Sequence, residues 1–287
     1  LEYFIQRGGG NSVYVINVVS PGVEAHGFEP TLGDVRILDT ADLIIYNGLG
    51  FEPWLDRAMQ AIGVDTDIIV EAGRDISGLT YRETFHMANW HDKRNERRPS
   101  GPPEFVDPQT LSGIDPHVWL DPLKAMEQVR RVRDSLSRVN PGEAKAYKRN
   151  ADELLAELNE LRKLYVSQLA ECQVRHFVVS HEAFAYLAQP YGLEQVPVSG
   201  LAPEAEPSPR DLARIADYVR SLSIGYVMVE PGTSRRLAET LAAEVDAEVL
   251  TLHPLESLTL DERSSGENYF SLMEANLSNL RIALECT

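Results

Sequence analysis

The stretch from Asn140 to Glu171, NPGEAKAYKRNADELLAELNELRKLYVSQLAE, constrains the fold of this chain more than any other. Asn140 is a favourable helix N-cap, Pro141 sits where the first N–H has no partner, and Glu143 has capping-box spacing. Tyr147, Ala151, Leu154, Leu158, Leu161 and Tyr165 then recur three and four residues apart, an apolar stripe on one helical face. At 1.5 Å per residue, roughly thirty residues span about 45 Å, longer than one domain needs internally. The expectation is a rigid linker helix over 140–172, between an N-terminal α/β lobe (1–139) and a C-terminal α/β lobe (173–287).

The 287 residues, 43% hydrophobic and 25% charged, suffice for one large core or two ordinary ones. A net charge of -17 disfavours nucleic acid and anionic lipid and favours cationic ligands. No run of eighteen apolar residues is present, and LEYFIQRGGG lacks the pattern of a signal peptide, so any targeting segment is expected to have been removed. Cys172 and Cys286 are the two cysteines; they could pair or be small buried thiols, and zinc sites of CxxC type are excluded.

Along the first lobe, β-branched runs at Ser12 to Val19, Leu43 to Asn47 and Asp67 to Val70 read as buried parallel strands, with a helix before them from Glu2 to Arg7. The stretch from Gly73 to Gly113 reads as a mobile loop, and a helix is expected from Pro122 to Val139. The second lobe repeats the alternation, with strands at His176 to Ser180, Glu194 to Val198, Tyr226 to Glu230 and Glu248 to Leu252. Helices are expected over Ala183 to Tyr191, Ser208 to Leu222, Ser234 to Val245 and Asn268 to Leu284. Such alternation implies two lobes, each with a mainly parallel four-stranded sheet flanked by helices. Glu29 to Val35 also matches Glu206 to Leu212, a weak internal repeat. Aligned on it, the first half is one strand short, so the chain is expected to begin one strand late.

Three of the seven histidines follow a strand or tight turn: His26 in SPGVEAHGFEPT, His117 in GIDPHVWLDP and His181 in FVVSHEAFAYL. Ligands bind beyond the carboxyl ends of parallel strands, and three neutral imidazoles suit zinc or another borderline metal. Asp261, Glu262 and Glu267, after the last strand, offer a fourth, acidic ligand. His176, at a strand start, and His253, before Pro254, read as structural.

These residues sit in motifs that extend over nearly the whole chain: PGVEAHGFEPTLGDVR, ADLIIYNGLGFEPWL, GIDPHVWLDP, the long helix, VVSHEAFAYLAQPYGL, SGLAPEAEPSPRDL and NYFSLMEANLSNL. Together they resemble the metal-binding receptors of ATP-driven zinc and manganese importers, bacterial extracytoplasmic proteins with one rigid helix between lobes. The resemblance implies that His26, His117 and His181 are metal ligands and that Asp261 is the fourth, with Glu262 or Glu267 as substitutes. It also implies a monomeric receptor, periplasmic or lipid-anchored at the outer face of the membrane, serving a membrane permease. Manganese receptors of this kind carry a carboxylate at the third position. His181 there favours Zn2+, with Mn2+ the alternative.

In that architecture Glu230 faces the cleft and could accept an imidazole N–H, with Asp115 and Asp121 as alternatives. Zinc receptors of this kind carry a loop rich in histidine and acid ahead of the second ligand; here it holds only His86 and His91 amid Arg and Lys, a departure that favours an ordinary solvated loop over an accessory capture role for the two. Two other classes compete: a zinc hydrolase with an open water site, and an adhesive surface protein whose metal locks the lobes. The chain has no HExxH and no Gly-x-Ser-x-Gly, which counts against the hydrolase.

Overall fold

A computed structural model describes residues 1–63, 66–80, 113–198, 208–231 and 235–287. His86, His91, most of the 73–113 stretch and residues 206–207 of the repeat lie outside the described residues. The chain divides into two compact units that interleave along the sequence. One comprises Leu1–Ser77, Val118–Leu164 and Leu255–Phe270, the other Gly78–His117, Tyr165–Pro254 and Ser271–Thr287. No helix among the described residues is long and apolar enough to cross a membrane.

In the first unit, helix α1 (Glu2–Gly9) precedes α2 (Leu32–Asp39), β1 (Ile44–Tyr46), α3 (Leu55–Ile62) and β2 (Ile69–Glu71). Thr31 caps α2 in a full capping box with Asp34, and Gly63 ends α3 in the left-handed region. Strands β1 and β2 pair in parallel, Ile44 opposite Ile69. Among the described residues this sheet has two strands rather than four. The extended run from Val13 to Val19 is not a strand: no main-chain hydrogen bond pairs Val13–Val18 with another segment among the described residues. β-Branched composition favours extension, but a strand needs a neighbour within about 5 Å. Here a groove of about 700 Å³ lies between that run and β1.

Helix α4 (Pro122–Val139) has both predicted ends, because Asp121 caps it and Pro122 occupies its first turn. The long helix α5 runs from Ala144 to Gln168 and is preceded by a 3-10 turn over Pro141–Glu143. Asn140 makes no side-chain cap; its amide faces Tyr147 Oη at 3.4 Å, and Glu143 accepts from Ser12 Oγ instead of closing a box. The apolar stripe is buried throughout, every member at 2% exposure or less. Each large member contributes roughly 1.5–3 kcal/mol by burial, far more than the missing cap.

The second unit contains a four-stranded parallel sheet in the order β4, β3, β5, β6, formed by β3 (His176–Val179), β4 (Glu194–Pro197), β5 (Tyr226–Val229) and β6 (Glu248–Thr251). Its core joins Val178, Val196 and Val227 to Ile215 and Val219 of α7 (Pro209–Ser221) and Leu241 of α8 (Arg235–Val245). The helix expected over Ala183 to Tyr191 is one short turn, α6 (Ala185–Ala188), then a 3-10 turn over Gln189–Tyr191. Pro190 lacks the N–H that would continue it. The chain ends with α9 (Leu260–Ser265), in the first unit, and α10 (Tyr269–Ala283). Cys172 and Cys286 form a disulfide, flanked by the main-chain bonds Val174 N to Leu284 O and Thr287 N to Glu171 O.

Candidate metal centre

In the second unit two histidines stand together. His181 follows the carboxyl end of β3 directly, and His117 lies in the GIDPH turn ahead of α4. Both are buried, and their ring centroids are 5.6 Å apart. Nδ1 of His117 lies 2.7 Å from Asp115 Oδ1, which also accepts the His117 main-chain N–H at 2.9 Å. His181 has the same arrangement: Nδ1 is 2.5 Å from Glu230 Oε2, and Glu230 Oε1 accepts the His181 main-chain N–H at 3.1 Å. An ionised carboxylate is acceptor only, so beside Asp115 the Nδ1 of His117 is the ring nitrogen that carries a proton, and Glu230 lies equally close to Nδ1 of His181. Tyr186 fixes this arrangement: its hydroxyl donates to Asp115 O at 2.9 Å and accepts from Leu79 N at 2.8 Å.

In the first unit His26 is half-buried on the loop between Val19 and α2. Glu24 shapes that loop by accepting from the main-chain N–H groups of His26 and Gly27, both at 2.6 Å. The His26 ring meets Phe51 edge-on at 4.6 Å. A ring nitrogen of His26 and a carboxylate oxygen of Glu256 lie within 4.8 Å of each other, a span that one ion can bridge. The loops carrying them are joined at Gly22, whose N–H faces Leu258 O at 3.1 Å and Ser257 Oγ at 3.0 Å.

The acidic residues expected after the last strand are placed otherwise. Asp261 is exposed on the first turn of α9, and Thr259, the N-cap, fixes it there. Glu262 closes the capping box, accepting from Thr259 N at 2.8 Å and Thr259 Oγ1 at 2.9 Å. Glu267 follows Gly266, where α9 ends. Glu256, five residues nearer the end of β6, is the carboxylate beside His26, and sequence reasoning missed it. The signal was available: the T-x-x-E spacing at Thr259 marks Glu262 as a cap and turns Asp261 to the solvent side.

Of the three carboxylates considered as imidazole partners, Asp115 and Glu230 each face one. Asp121 caps α4 by accepting Leu123 N at 2.9 Å, and burial pushes its carboxyl up. His176 pairs with Glu194 at 3.2 Å between neighbouring strands. The main chain of His253 is held on both sides by the Asn276 amide.

The family profile described as "Zinc-uptake complex component A periplasmic" (ZnuA) matches residues 1–283. The chain is 32% identical over 276 residues to the zinc-binding protein AdcA of Streptococcus pyogenes serotype M3, covering 96% of this chain and 53% of that protein. It thus spans about half the length of that curated relative. It is 31% identical over 267 residues to the high-affinity zinc uptake system protein ZnuA of Bacillus subtilis, covering 93% of this chain and 79% of that one. The crystal structure of the Zn(II)-bound ZnuA-like domain of Streptococcus pneumoniae AdcA superposes with a TM-score of 0.78 at 32% identity, covering 99% of this chain and 95% of that one.

Proposed function

Since this chain belongs to the periplasmic zinc-uptake component A family, we propose that it is a zinc receptor that hands its ion to an ATP-driven membrane importer. The observation that carries this reading is the imidazole pair His117 and His181, buried with ring centroids 5.6 Å apart and each with Nδ1 against a buried carboxylate. His26 and Glu256 complete the ligand set in this reading. Three nitrogens and one carboxylate oxygen suit the tetrahedral preference of zinc better than the oxygen-rich sphere of manganese. Four protein ligands leave no position for a reactive water, so the site binds and does not catalyse.

Asp115 and Glu230 hold the rings in the ligating tautomer and raise their basicity toward the ion. Protons compete for Nε2, so affinity falls in acid. The disulfide fits an oxidising compartment outside the cytoplasm, periplasmic or at the outer membrane face. The receptor works as a monomer, and its partner is the importer's permease.

The test is zinc affinity by chelator competition for single substitutions. His26→Ala, His117→Ala, His181→Ala and Glu256→Gln are each expected to weaken binding strongly, and His176→Ala is expected to leave it unchanged. Loss in Asp261→Asn with retention in Glu256→Gln would move the fourth ligand to Asp261. Wild-type affinity in all the histidine variants would remove the receptor reading.

A further inference from the structure

We propose that Glu52 is a positioning residue for His26, acting through the turn Asn47–Phe51 and the ring of Phe51. The inference rests on reading His26 as a zinc ligand. Strand β1 ends at Tyr46, and the chain then passes through Gly48, Leu49 and Gly50, all at positive φ, before reaching Phe51. Leu49 in that region carries a backbone cost, which persists only where surrounding contacts impose it. The contacts are two carboxylates. Glu52 Oε1 accepts Asn47 N at 2.8 Å and Oε2 accepts Gly48 N at 3.0 Å, while Glu71 Oε1 accepts Leu49 N at 3.2 Å. A Cβ on Gly48 would stand 2.2 Å from the Glu71 side chain, so the turn is closed from that side as well.

What the turn delivers is Phe51. Its ring is 6% exposed and wedged edge-on between His26, at 4.6 Å, and Trp119, at 4.9 Å. Trp119 is itself tied down, its carbonyl accepting from Tyr269 Oη at 2.8 Å. Phe51 is therefore a fixed wall for the His26 ring, and its position depends on the geometry of a glycine-rich turn. Glu24 organises the main chain of the His26 loop, and the Phe51 ring bears on the His26 side chain. One buried carboxyl group that accepts from two consecutive N–H groups fixes such a turn at both peptides.

The experiment compares wild type, Glu52→Gln and Phe51→Leu as full chains. Histidine ring NMR of the metal-free protein is read alongside zinc competition and the visible spectrum of the cobalt-loaded form. A glutamine keeps the size of Glu52 but turns an NH₂ toward one of the two N–H groups. The expected result is displaced His26 ring resonances in both variants, unchanged His117 and His181 resonances, an altered cobalt spectrum, and zinc affinity lower by about tenfold. Folded Glu52→Gln protein with wild-type His26 resonances and wild-type affinity would overturn the proposal. If Glu52→Gln does not fold, Phe51→Leu decides: unshifted His26 resonances there overturn it equally. The receptor reading fails separately, through a His26→Ala variant that keeps wild-type zinc affinity.

Discussion

Glu230 holds His181 twice, with one carboxylate oxygen 2.5 Å from Nδ1 and the other accepting the main-chain N–H at 3.1 Å. Backbone and ring of one residue are thus referred to a single side chain at the end of the neighbouring strand, β5. Glu230→Gln leaves size and shape almost unchanged but replaces one acceptor with a donor. That substitution is expected to weaken zinc binding 10- to 100-fold, about 1.4–2.8 kcal/mol, by loosening the tautomer and orientation of the ring. Chelator competition reads this directly. Wild-type affinity would mean that the pairing does not support ligation.

Asp115 and His117 form the same kind of pair within one turn, Oδ1 standing 2.7 Å from Nδ1. Asp115→Asn is expected to give a loss of similar size. The double variant with Glu230→Gln should be less than additive, since the two imidazoles are 5.6 Å apart and would share one ion. A double-mutant cycle on zinc affinity measures the coupling, and strict additivity would separate the two rings functionally.

Much of the fold was legible where local chemistry and tertiary packing agree. Asp121 and Pro122 mark the start of α4, and the four strands of the second unit were readable because each has a short apolar, β-branched centre between helical stretches. The failures have physical causes. Asn140 looked like an N-cap, yet its amide serves Tyr147 and the α-helix begins at Ala144. The run from Val13 to Val19 has strand composition without a strand partner, and pairing is not a property of the run itself. At the site, the histidine loops were readable from strand ends, whereas the choice among Glu256, Asp261, Glu262 and Glu267 depended on where α9 begins, which Thr259 decides.

The disulfide joins two positions of the second unit that are 114 residues apart in sequence, closing a long loop. Removing it with Cys172→Ser plus Cys286→Ser is expected to cost on the order of 3–5 kcal/mol. Urea denaturation of the metal-free protein, with and without reductant, reads the loss. Neither cysteine touches His117 or His181 in sequence or sheet position, so zinc affinity of the folded variant should hold; a parallel loss of affinity would show that the link also shapes the site.

Glu52 gives the stability a pH dependence of definite sign. Burial raises its carboxyl to about 7, against the opposing pull of the Asn47 and Gly48 N–H groups and the Leu1 amino group. In the unfolded chain the same group titrates near the ordinary glutamate value, about 4.3. Between those values the folded state binds the proton more tightly, so the contribution is fully present below the unfolded value and is lost as pH rises through about 7. Other groups add their own slopes, so the quantity to follow is the difference between wild type and Glu52→Gln. Urea midpoints of both chains, measured with chelator from pH 4 to 8.5, should show wild type losing stability relative to the variant up to about 7 and then levelling off. A difference that stays flat across the range would mean that the carboxyl ionises alike in the folded and unfolded chain, and that burial does not govern it.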